Sequence, residues 1–100
     1  MTLPRETAKG GAGEAPETRL KRLKMRSMRR GIKEMDMILG HFAEAGLASL
    51  SPDDLDLYER MLAENDHDLY AWFSGRLSAP AIYASLIAAI NARKDLLARN

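Results

Sequence analysis

Apolar residues in this chain recur at helical spacing. Leu20, Leu23, Ser27 and Met28 share one stripe of a first helix, with Arg19, Arg22, Arg26, Arg29 and Arg30 on the opposite side. The pattern loosens at Arg29-Arg30-Gly31. Met35, Ile38, Leu39 and Phe42 then fall at i, i+3, i+4, i+7 and predict a second helix, stopped by Gly46. Ser51-Pro52-Asp53-Asp54 reads as a helix start, since Ser51 can cap, Pro52 suits the first turn and Asp54 sits where a capping box wants an acid. Leu55, Tyr58 and Leu62 form the inner stripe of that third helix. Asp66 is placed to cap a short fourth helix that carries Leu69, Trp72 and Phe73 and ends at Gly75. Ser78, with Pro80 just inside, opens a fifth, whose stripe is Ile82, Leu86, Ala89, Ile90 and Leu97.

No segment alternates apolar and polar residues with β-branched character, and valine is absent. The predicted class is all-α, a small five-helix bundle joined by short loops. Residues 1–18, rich in Gly, Ala, Thr, Pro and Glu, show no hydrophobic period and read as a flexible tail. Residues 19–97 read as one helical domain.

Composition narrows the chemistry. With 46% hydrophobic and 29% charged residues, the chain has the balance of a folded globular protein. It has no cysteine, which excludes a disulfide framework, a thiolate metal site and a cysteine nucleophile. No apolar run approaches the roughly 18 residues needed to span a bilayer. The front carries Glu6, Glu14 and Glu17 and lacks an apolar core, unlike a secretory signal or a transit peptide. These features make the cytoplasm the default location.

The net charge of +1 hides a sorted distribution. Residues 19–33 hold eight bases and no acid, whereas residues 34–68 hold ten acids and one base, Arg60. Three readings compete. The basic helix can pack on the bundle with its charges paired at the rim, bind nucleic acid, or dock a protein partner. No aromatic residue lies among residues 19–33 to stack on bases, and the acidic body would repel phosphates on most approaches.

Arg30-Gly31-Ile32-Lys33-Glu34 reads RGxxE. On a continuous helix Arg30 and Glu34 would lie one turn apart on one face, either pairing with each other or offering directional hydrogen bonds to a partner. Glycine inside a helix costs about 1 kcal/mol against alanine, so Gly31 suits a junction or a close backbone approach.

The stretch from Arg29 to Asp36, then Phe42, Leu50-Ser51, Tyr58, Leu62 and Asp66-His67-Asp68-Leu69-Tyr70-Ala71-Trp72 resembles the SdhE-type FAD assembly factors, called succinate dehydrogenase assembly factor 2 in mitochondria. The resemblance runs from about Arg22 to Leu77. It implies a five-helix bundle and a non-enzymatic chaperone that binds the flavoprotein subunit of succinate dehydrogenase, and in some bacteria fumarate reductase, promoting covalent attachment of FAD. No cofactor of the chain's own is expected, since only diffuse positive charge is present to meet the pyrophosphate of free FAD. In the family the RGxxE segment lies in the interface, so Arg30, Gly31 and Glu34 become the leading partner-binding candidates. Arg29, Met28 and Met37 join them as neighbours of the turn. The remaining alternative is a small basic-helix module for nucleic acid. By the resemblance the mechanism is positional: the factor holds its partner in a bonding-competent arrangement.

Other candidate chemistry has simpler explanations. Asp66-His67-Asp68 lacks the three or four converging ligands of a metal site, because His41 is the only other imidazole. Gly10-Gly11-Ala12-Gly13 follows no strand and is linker-like. Trp72 and Phe73 read as core anchors, and Met35 as core. Single alanines at Arg19 or Arg22 are expected to matter little, as diffuse charge tunes association more than fit.

Overall fold

The computed structural model describes residues 14–98. They form five α-helices and a short 3-10 turn, with no strand among the described residues: α1 (Pro16–Ser27), α2 (Lys33–Ala45), the turn Leu47–Ser49, α3 (Pro52–Leu62), α4 (Asp66–Phe73) and α5 (Ala81–Ala98). The predicted all-α bundle is therefore present. The first helix starts at Pro16, ahead of the Arg19 boundary read from the stripe, because Pro16 and Glu17 suit a first turn. Residues 1–13 of the expected tail lie outside the described residues.

Local chemistry sets the helix ends. Ser51 caps α3 as predicted, its side chain accepting from the Asp54 amide. At α4 the cap is Asn65 and not Asp66: the Asn65 side chain accepts from the amides of His67 and Asp68. Asp66 is thereby the first residue of the helix, and its carboxylate is free for another partner. Gly75 takes a positive φ of 81°, which ends α4 where a side chain would be strained.

α2 is the hub, packing against α1, α4, α5 and the 3-10 turn. Its buried face is Met35, Leu39 and Phe42, as the period predicts, and it meets Leu23 of α1, Tyr58 and Met61 of α3, Leu69 and Phe73 of α4, and Ile90 of α5. Phe42 and Tyr58 meet with ring centroids 5.6 Å apart. Two expectations are corrected here. Trp72 is only partly buried at the edge of the core, tilted on Tyr83. α5 buries Tyr83, Leu86, Ile87 and Ile90, whereas Ile82 and Ala89 are exposed. The side chain of Leu97 lies outside the described ones.

Inside the core sits one polar pair. The Ser27 hydroxyl is 2.8 Å from the Leu23 carbonyl and 2.6 Å from the Tyr58 hydroxyl. Ser27 has one proton to give, and the carbonyl can only accept, so the Tyr58 phenol donates to Ser27. Burial pushes the Tyr58 pKa from 10.0 up to about 12, opposed by the Ser27 hydrogen bond and the nearby Arg30 charge.

The sorted charge resolves as internal pairing for part of α1. The Glu59 carboxylate, nearly buried, receives Arg19 at 3.1 Å and Arg22 at 2.8 Å, with Arg26 at 4.0 Å. Arg19 also reaches Asp56 at 2.7 Å, and Arg22 makes two bonds to Glu14, at 2.9 and 3.0 Å. The Arg22 guanidinium holds the Glu14 carboxyl below its usual range. Arg19 and Arg22 are thus specific partners of a buried charge, and not the diffuse positive charge that the sequence suggests.

Two predictions follow from these pairs. Glu59→Gln leaves two guanidiniums facing a neutral amide, and should cost about 1.5–3 kcal/mol in thermal or urea unfolding. Arg22→Ala also releases Glu14, so in the Glu59→Gln background it should still cost stability, but less than additively, because the Arg22–Glu59 bond is already gone. For Tyr58, a folded pKa raised above the unfolded value of 10.0 means that the stability it contributes is complete below pH 10 and lost as pH rises toward about 12. Burial and the Glu64 hydrogen bond raise the Tyr83 phenol as well, so tyrosinate absorbance should show Tyr58 and Tyr83 ionising late, and Tyr58→Phe should reduce the alkaline fall without abolishing it.

Candidate functional site

The five residues between α1 and α2, Met28 to Ile32, form a turn and not a continuous helix. Arg30 consequently cannot pair with Glu34 as an i, i+4 helical couple, since α2 starts only at Lys33. Its guanidinium turns inward and is 9% exposed.

There it joins three helix ends. Arg30 Nε and Nη2 both lie 2.8 Å from Asp66 Oδ1, at the first residue of α4. Nη2 also donates to the Leu62 carbonyl at 3.0 Å, and Nη1 to the Arg26 carbonyl at 3.3 Å. Leu62 ends α3, and Arg26 lies in the last turn of α1, where carbonyls lack helical partners. One planar fork with five donors satisfies all of these at once, a task that the point charge of a lysine cannot perform.

The turn's backbone is held by carboxylates on both sides. The Arg30 amide donates to Asp36 Oδ1 at 2.6 Å, from the first turn of α2. The Gly31 amide donates to the second oxygen of Asp66. Asp66 therefore binds Arg30 with one oxygen and Gly31 with the other. A Cβ on Gly31 would stand 3.1 Å from Asp66 Oδ2, so any side chain here would push the clasping carboxylate by a few tenths of an ångström; the position serves close approach and not an unusual φ.

Around this clasp the other candidates face outward. Arg29, Gly31 and Glu34 are exposed, and Met28 and Met37 are 48% and 54% exposed. Neither Arg29 nor Glu34 forms a salt bridge among the described residues. Met28 lies over Gly40 of α2, its Cγ 3.7 Å from where a Cβ would be. Met37 is one helical turn before Gly40. Met35 is fully buried, as its stripe predicts.

Asp66 and Asp36 were missed as site residues. Two signals pointed to them: both lie in the stretches that carry the family resemblance, and at Asn65-Asp66 two residues able to cap stand in succession, so one is spare. Among the described residues, no three His, Cys, Asp or Glu side chains converge as metal ligands. No helix there is long and apolar enough to cross a membrane.

Comparison with known proteins gives this turn a family. The family model described as "Flavinator of succinate dehydrogenase" matches residues 21–94. A relative from Meyerozyma guilliermondii, named "Succinate dehydrogenase assembly factor 2, mitochondrial", is 47% identical over 60 residues, covering 60% of this chain and 44% of the relative. One of the same name from Mycosarcoma maydis is 37% identical over 75 residues, covering 75% of this chain and 32% of the relative. The chain thus matches less than half the length of either. No solved structure matches significantly. The relatives' names place them in the mitochondrion, which overturns the cytoplasmic default. That default rested on the absence of an apolar or acid-free leader, and a folded domain's chemistry does not encode its compartment. With the family match spanning the first four helices from Lys21 and reaching into α5, this chain belongs to the family described as "Flavinator of succinate dehydrogenase".

Proposed function

We propose that this chain is a non-enzymatic assembly factor that binds the flavoprotein subunit of succinate dehydrogenase and promotes covalent attachment of FAD to it. The observation that carries the reading is the clasped turn: Asp66 fixes Arg30 and Gly31 from inside, leaving the Gly31 surface, Arg29 and Glu34 facing out, with no ion pair for Arg29 or Glu34 among the described residues. A partner meeting such a surface pays little ordering entropy, because the turn is already built. The bare Gly31 position admits a partner backbone, and Glu34 offers a carboxylate for charge-assisted bonds. Arg30 acts as a positioning residue. The flavin bond forms on the partner, and the factor favours the partner conformation in which the reacting atoms meet. Fumarate reductase, as a related flavoprotein, is a second candidate client.

The nucleic-acid alternative is disfavoured by the pairing of Arg19 and Arg22 with carboxylates. Counterion release requires bases free to neutralise phosphates, and these two are engaged.

The test is in-gel flavin fluorescence of the denatured flavoprotein subunit, in a strain whose own factor is deleted and replaced by this chain. Gly31→Arg should abolish the signal. Glu34→Ala should weaken binding about tenfold or more, the value of a lost charge-assisted bond, without changing the melt. Equal fluorescence for wild type and Gly31→Arg would refute the assignment. Asp66→Asn should lower both the melt and the fluorescence, and Arg30→Lys should not restore what Arg30→Ala loses.

A further inference from the structure

The chain's only sulfur is in its six methionines, since it has no cysteine. The five within the described residues divide sharply. Met35 and Met61 are fully buried, whereas Met25, Met28 and Met37 are 50%, 48% and 54% exposed. Met25 and Met28 flank the Arg30-Gly31 turn, and Met37 stands on α2 one helical turn after Glu34. Met25 lines a hollow of about 310 Å³ with Arg26, Arg29 and Arg30. Met28 is the last-turn neighbour of Met25 and lies over Gly40, and Met37 stands one turn before Gly40 on α2.

We propose that Met25, Met28 and Met37 are a reversible oxidation site, through which a hydroperoxide weakens docking at the turn. The inference rests on the docking role proposed above. In the forward step the thioether sulfur attacks the peroxide O–O bond. Sulfur gains one oxygen and loses two electrons, and the peroxide leaves as an alcohol, or as water when hydrogen peroxide is used. In the reverse step two thiols of a methionine sulfoxide reductase system take the oxygen as water and become a disulfide.

The physical consequence follows from the change in side chain. A thioether is apolar, unbranched and adaptable, suited to fitting an irregular partner surface. A sulfoxide is polar and chiral and needs a hydrogen-bond donor when desolvated, so burying it against a partner is costly. The core is spared because Met35 and Met61 are out of reach of the oxidant. The fold should therefore survive the treatment that disables the surface.

The experiment treats the full chain with graded hydrogen peroxide and maps oxygen uptake by peptide mass spectrometry. Binding to the purified flavoprotein subunit and thermal melts are measured beside it. Met25, Met28 and Met37 should oxidise about tenfold or more faster than Met35 and Met61. The oxidised protein should keep its melt but bind about tenfold more weakly, and sulfoxide reductase with a dithiol should restore binding. A Met25→Leu/Met28→Leu/Met37→Leu variant should bind after peroxide as it did before. If Met28→Leu disturbs packing over Gly40, Met25→Leu/Met37→Leu carries the same test with partial protection. Uniform oxidation of all five positions, unchanged binding of the oxidised protein, or equal peroxide sensitivity of the leucine variants would overturn the proposal. An untreated protein that fails to bind the subunit would refute the assembly role itself, and the switch with it, whatever the oxidation map.

Discussion

The Asp66 carboxylate is the contact on which the turn depends. One of its oxygens takes Arg30 and the other takes the Gly31 amide, so residues far apart in sequence are joined at the head of α4. The same arginine closes the carbonyl ends of α1 and α3. Removing one partner would strand the other with little water to replace it, since the two side chains are 9% and 17% exposed. The geometry also requires a division of labour at α4. Asn65 caps the helix, which leaves Asp66 able to reach across to the turn. Had Asp66 served as the cap, its oxygens would have been spent on amides of its own helix.

Charge sorting along the chain has a matching physical account. The α1 arginines and α3 carboxylates attract because their helices lie side by side, and Glu59 gathers Arg19 and Arg22 under limited solvent. Exposed pairs contribute about 0–1 kcal/mol, but Glu59 is nearly buried, so its loss would leave a larger deficit. With those bases engaged, Arg29 is left facing outward beside Gly31 and Glu34. Diffuse basic character in the sequence becomes a small, directional surface in the fold.

Much of the fold was legible as helical period. The α2 stripe and the Ser51 cap came through because strong apolar contrast and a local cap need no tertiary information. The α5 stripe was misread by a small rotation. Its Ala-rich run gives little contrast between Ile82-Ala89 and Tyr83-Ile87; in the fold Tyr83 turns inward, tilted on Trp72 and bonded to Glu64, with Leu86, Ile87 and Ile90 buried beside it. Trp72 and Phe73 read as core anchors on one stripe of a short helix, yet adjacent helical residues diverge in direction, and only Phe73 is fully buried while Trp72 packs at the edge of the core. At the site, RGxxE identified the turn but not its support. Arg30 and Asp66 are 36 positions apart, and no local pattern reports a contact of that separation. The traces were a carboxylate beside a better cap and the place of Asp36 and Asp66 in the stretches that carry the family resemblance.

The most direct measure of the clasp is hydrogen exchange at the Gly31 amide, followed by NMR in the wild type and in Asp66→Ala. The Gly31 residue is exposed, so its amide is protected only if Asp66 holds it. Exchange slowed about tenfold or more against a free peptide, and released in Asp66→Ala while the α2 and α3 core amides stay protected, is the predicted result. A Gly31 amide that exchanges at the free-peptide rate in the wild type would contradict the account.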